Sequence, residues 1–163
     1  MPPLGRVAVY SILLGAGFAC LMLLMDNLLF AGSGLPRIRS TASLPLWMRA
    51  IIPVYAAVTE EVIYRLGIMT VVVWIATFVV RQPTGSPPAA AVWLGIALAA
   101  VLFGLAHVAN VPNAPRPILR AVTLNGFAGT VLGWLYWKRG FEAAVMAHFG
   151  ADLFIYLGAA SLL

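Results

Sequence analysis

Residues 46–80 read LWMRAIIPVYAAVTEEVIYRLGIMTVVVWIATFVV, an apolar run broken near its middle by Glu60, Glu61 and Arg65. As one straight α-helix it would be about 52 Å long, well beyond a hydrocarbon core of about 30 Å. The sequence therefore predicts either a bent helix or two helices meeting at the three charges. An ionised side chain at the centre of a membrane helix costs about 2.5–3.5 kcal/mol even on the lenient insertion scale. Three of them in one apolar run need partners, and that need organises the rest of the reading.

The remainder of the chain is of the same kind. Of its 163 residues 63% are hydrophobic and 9% charged, with a mean hydropathy of +0.99. Soluble domains carry about 25% charged residues, so the bilayer is the natural solvent for this chain. The fold class expected is an all-α, polytopic transmembrane helical bundle of five segments, or six if the long run is divided. The first segment is Val7–Phe30, preceded by Arg6; its apolar stretch exceeds a signal-peptide core and reads as a retained anchor. The others are 46–80, Ala89–Ala109, Ile118–Trp137 and Phe141 to near the C-terminus. Polar, proline-rich or basic stretches (32–45, 81–88, 110–117 and 138–140) separate them. The organisation expected is an anchor with its connecting loop at 1–45 and a core at 46–163.

Ten Lys/Arg against five Asp/Glu give a net charge of +5. Most of the basic residues sit between apolar runs, where they anchor helix ends, so nucleic acid is not an expected partner. With five spans, Arg6, Arg81, Lys138 and Arg139 fall on one side and Arg37, Arg39, Arg49, Arg116 and Arg120 on the other, which leaves orientation open. Cys20, the single cysteine, excludes an internal disulfide and reads as a packing residue.

Glu60, Glu61 and Asp152 lie within apolar segments, as do both histidines, His107 and His148. Glu61 and Arg65 are i and i+4 and share a helix face; so do His148 and Asp152, and Phe103 and His107. Gly129-xxx-Gly133 suits a tight helix crossing, with Asn125 and Gly126 one turn before it. Each feature alone has a simpler explanation: a structural ion pair, a core histidine bonded to a carbonyl, a polar clasp between helices, ordinary packing. Two adjacent carboxylates, two histidines and a third carboxylate at membrane depth together point to a buried site.

Glu60-Glu61-Val-Ile-Tyr-Arg65 fits EExxxR, Phe103-Gly-Leu-Ala-His107 fits FxxxH, and His148-Phe-Gly-Ala-Asp152 fits HxxxN/D. This ordered set resembles the CPBP family, which includes CAAX-processing type II prenyl endopeptidases, bacteriocin-processing and immunity proteins, and related glutamic-type intramembrane proteases. The resemblance runs from Leu46 to the C-terminus. It implies an intramembrane endopeptidase, multi-pass in the cell membrane, acting on a membrane-associated peptide or protein. It also implies roles: Glu60 as general base, His107 holding and activating water, His148 and residue 152 cradling the oxyanion, Glu61 and Arg65 as a supporting ion pair. Asn125 stands in the stretch before the last motif as a further supporting residue.

The chemistry of these residue types agrees with the resemblance. Water becomes a nucleophile when a carboxylate or imidazole removes its proton, and a carboxylate withdrawn from water holds a proton more readily. No serine or cysteine is placed like a paired nucleophile, which argues against an acyl-enzyme. Asparagine at the last motif position would donate an amide N–H to an oxyanion. Asp152 does so only when protonated, so either burial keeps it protonated or it orients and charges His148, the reading preferred. Glu60, His107 and His148 are also the ligand types of a His₂Glu zinc site, so a divalent metal is the alternative to metal-free chemistry, which is preferred. Two other functions compete: a non-catalytic immunity or assembly protein of the same fold, and a proton or ion pathway, against which the lack of an inverted repeat speaks.

Overall fold

A computed structural model describes residues 4–31, 44–79, 86–110 and 112–158. The described residues are helical, with no strand among them: α1 (Leu4–Phe30), α2 (Leu46–Glu61), a π-helical segment (Val62–Met69), α3 (Thr70–Val79), α4 (Ala89–Ala106), a 3₁₀ turn (His107–Asn110), α5 (Pro115–Arg139), α6 (Phe141–Leu153) and a π turn (Phe154–Gly158). Four helices are long and apolar enough to cross a membrane: Gly5–Phe30, Leu46–Val79, Ala89–Asn110 and Pro115–Arg139. The long run is therefore not split by a loop, and α2 and α3 are joined by the π segment instead. The fifth predicted segment is helical but shorter, α6 having 13 residues. Of the predicted connections, 32–43 with Arg37 and Arg39, and 81–85 with Arg81, lie outside the described residues.

Exposed side chains such as Leu28 (73%), Tyr55 (72%) and Val79 (82%) are apolar. Such surfaces are unfavourable in water and suited to hydrocarbon. In lipid the hydrophobic effect does not drive helices together, so close packing at small residues has to.

The chain divides into two compact units, one of Met1–Thr59 with Glu142–Leu163 and the other of Glu60–Phe141. In the first, α1 and α6 touch backbone to backbone. A Cβ on Gly15 would collide with the Ala147 carbonyl, and one on Gly150 with the Ile12 carbonyl. Alanines reinforce the contact, Ala19 and Ala147 being wholly buried. At the end of α6 the π turn presents the Tyr156 carbonyl, which accepts a 2.6 Å hydrogen bond from Arg49 Nε on α2. Gly15→Ala is expected to force α1 and α6 apart and lower stability by about 1–3 kcal/mol. Gly17, with nothing within 4 Å of its Cβ position, is the control: Gly17→Ala should leave the unfolding transition in detergent unchanged or raise it.

In the second unit α4 packs against α5 and α3 by the same device. A Cβ on Gly129 would stand 2.9 Å from Ala100 Cα, one on Gly104 2.9 Å from the Val122 carbonyl oxygen, and one on Gly133 3.3 Å from the Ile96 side chain. The Gly129-xxx-Gly133 pair thus does lie on a close helix crossing. Met69, Val92, Ile96 and Ala99 form the core of this unit. Gly140 ends α5 with a φ of 94°, a conformation that favours glycine and lets the chain turn directly into α6.

Candidate active site

The π segment begins immediately after Glu61. The Thr70 N–H bonds to the Arg65 carbonyl five residues back, the wide spacing that defines a π turn. The Thr70 hydroxyl donates to the same carbonyl at 2.8 Å and lies 2.9 Å from the Tyr136 hydroxyl on α5. Thr70 therefore closes the π turn and ties it to α5. Interhelical polar bonds in membranes average about 0.6 kcal/mol, with about 1.7 as the upper end. Thr70→Val should lose an amount in that range in equilibrium unfolding, while Thr70→Ser, which keeps the hydroxyl, should lose less.

Glu61 and Arg65 form the predicted ion pair, Nε to Oε2 at 3.0 Å, with both side chains fully buried. The approach is a charge contact whose angle falls short of a hydrogen bond. Arg65 Nη2 donates to the Gly129 carbonyl at 3.3 Å, so the bond falls on the same turn of α5 that crosses α4 closely. Arg65 Nη1 meets no acceptor among the described residues, but the guanidinium stands 5.4 Å from the centre of the Phe103 ring. An aromatic face partly compensates a desolvated cation.

Phe103 is the hub of the unit's polar centre. Its ring packs edge-to-face with Tyr64 at 5.0 Å and with His107 at 4.8 Å, and only 2% of the residue is exposed. Its carbonyl oxygen lies 2.8 Å from His107 Nδ1. A carbonyl can only accept, so Nδ1 carries the proton, and a neutral His107 keeps the Nε2 lone pair for a water or a metal. This histidine also caps the C-terminus of α4. The EExxxR and FxxxH segments are thus brought side by side through one aromatic ring. Glu60 is half-buried and, one residue before Glu61, points about 100° away from it round the helix. Asn125 Nδ2 donates to the Ala121 carbonyl of its own helix at 2.9 Å, one turn before Gly129.

His148 and Asp152 belong to the other unit. His148 is buried, and its Nε2 lies 3.7 Å from Asp152 Oδ2, the Asp152 side chain being 21% exposed. The expected i,i+4 pair is present, as a charge contact. Within neither unit do three His, Cys, Asp or Glu side chains gather as a metal would require, among the described residues. The chemistry of single donors does suit a metal, since a ligating imidazole commonly gives its other N–H to a carbonyl, as His107 does.

Tyr64, Thr70, Tyr136 and the ring of Phe103 were not singled out for these roles from sequence. A signal existed for two of them: Tyr64 fills a free position of EExxxR, and Thr70 stands five residues after Arg65.

The family model described as type II CAAX prenyl endopeptidase Rce1-like matches residues 42–154, about two thirds of the chain. The chain belongs to this family. No curated protein and no solved structure matches it. The matched range takes in all three motifs, from Glu60 to Asp152, and the whole of α2, α3, α4, α5 and α6, leaving out α1. At the level of the family the protein is a membrane protein and a protease-type enzyme of the CAAX-processing class.

Proposed function

We propose that the chain is a multi-pass endopeptidase of the cell membrane that hydrolyses a peptide bond near the membrane boundary of a lipidated, leader-bearing or sorting-signal-bearing substrate. The catalytic core is assigned to residues 46–163, with residues 1–45 as anchor and connection. The observation that carries the reading is His107, whose Nδ1 proton is engaged by the Phe103 carbonyl beside the EExxxR segment. That arrangement leaves Nε2 to accept a hydrogen bond from water and orient it.

In this mechanism the Glu60 carboxylate takes a proton from the water as the hydroxide oxygen attacks the scissile carbonyl carbon. Charge develops on the carbonyl oxygen, and a His148 N–H donates to it, a contribution of about 2.7–4 kcal/mol per donor in comparable sites. Asp152 pairs with a charged His148 and orients it. The proton held by Glu60 then passes to the departing amide nitrogen, the C–N bond breaks, and a carboxylic acid and an amine leave, the acid giving its proton to the amine or to water. The Glu61–Arg65 pair supports the segment that carries Glu60, and Asn125 supports the neighbouring turn of α5. A divalent metal such as zinc is the alternative; Glu60, His107 and His148 would hold it, and it would supply Lewis-acid activation of the bound water.

His107→Ala tests the reading in cells. Membrane proteomics should show at least one membrane-associated protein retained in its longer, unprocessed form, with the variant itself at normal abundance. Identical termini across the membrane proteome would favour a non-catalytic protein instead. Cleavage that persists after strong chelation would separate the metal-free from the metal-dependent form.

A further inference from the structure

The unit of Glu60–Phe141 contains a groove of about 360 Å³ bounded by α3, the start of α4 and the end of α5. It reaches the core, for Met69 and Val92, 2% and 3% exposed, both line it. Trp74 and Trp137 also line it, as do three residues that carry hydroxyls, Thr70, Thr77 and Tyr136. Those hydroxyls are already engaged: Thr70 with Arg65 and Tyr136, Thr77 with the Trp74 carbonyl at 2.6 Å. Water would find little to bond there, whereas a hydrocarbon chain would supply the dispersion contacts that a void forfeits.

The groove has a cation at its edge. Lys138 Nζ stands 3.7 Å above the ring of Trp137, which itself lines the groove, and Arg139 follows, exposed, at the end of α5. An apolar slot with one cation held at its edge and a second basic residue next in the chain suits a ligand that joins a hydrocarbon chain to an anionic group. We propose that this groove is a binding site for an anionic glycerophospholipid, with an acyl chain between α3, α4 and α5 and the headgroup phosphate at Lys138 and Arg139. The chain would lie against the Thr70–Tyr136 pair that closes the π turn, so the site adjoins the structure holding Arg65. It stands independently of the protease mechanism.

The test is native mass spectrometry of the purified full chain in detergent, titrated with phosphatidylglycerol or phosphatidylcholine of identical acyl chains. At roughly 1 kcal/mol per basic residue, phosphatidylglycerol should be retained about fivefold more tightly for each of the two. Lys138→Gln with Arg139→Gln, both at exposed positions, should bring it down to the phosphatidylcholine level. Thr77→Phe, which fills the groove, should weaken both lipids. Should that variant fail to fold, quenching by brominated phosphatidylglycerol must fall more in Trp74→Phe/Trp137→Phe than in Trp47→Phe/Trp134→Phe. Equal retention of the two lipids in the wild type, or a preference unchanged by the double glutamine variant, would overturn the proposal. So would displacement of the lipid by glycerol phosphate, which has a headgroup and no chain.

Discussion

Replacing Glu60 by glutamine is expected to slow cleavage by about 10²–10⁴-fold while leaving the unfolding transition in place. Glutamine keeps the size of the side chain and its capacity to hydrogen-bond, but it cannot accept a proton from water. The contrast with Glu61 makes the result informative. Glu61 is fully buried against Arg65, so its carboxylate is committed to structure, whereas Glu60 is half-buried and faces elsewhere on the helix. If Glu60 were a second structural acid, Glu60→Gln would lower stability and activity together. The measurement is initial cleavage rate at equal folded protein, with unfolding followed separately.

The second large effect concerns Arg65. Arg65→Ala leaves the Glu61 carboxylate buried without its cation and should lower stability by about 3–5 kcal/mol. Arg65→Lys should recover only part of this, because an ammonium cannot reach Glu61, the Gly129 carbonyl and the Phe103 face from one planar group. Removing both charges, as Glu61→Leu with Arg65→Met, should restore most of the stability, since buried ion pairs are often replaceable by apolar residues of similar volume. Equilibrium unfolding in detergent reads all three. Any activity still missing from the stable double variant would then measure what the pair contributes to placing Glu60, separately from folding.

The helical fold could be read from the sequence because span length and apolarity are nearly sufficient in a bilayer. The pairs Glu61–Arg65 and His148–Asp152 were legible for a similar reason, since i,i+4 spacing places side chains on one face whatever the tertiary structure. The π segment at Val62–Met69 was not. The excessive length of the 46–80 run announced an irregularity, but a bend, a break and a π turn share the same apolar pattern, and the choice depends on packing against α4 and α5. Phe103 shows the same limit. Its spacing from His107 was visible, but spacing along α4 carries no information on which residues of another segment meet its ring. Asn125 was singled out for its place in the chain, and its amide nitrogen turns out to bond within its own helix.

Whether this chain itself breaks a peptide bond with Glu60 can be measured directly. Purified wild-type protein should be added to membranes from cells expressing Glu60→Ala, in which the precursor has accumulated, and the termini of that precursor followed over time. Conversion to the shorter form by the wild type, and not by equally folded Glu60→Ala or His107→Ala protein, is the result expected. Conversion by Glu60→Ala at the wild-type rate, or none by folded wild-type protein, would contradict it.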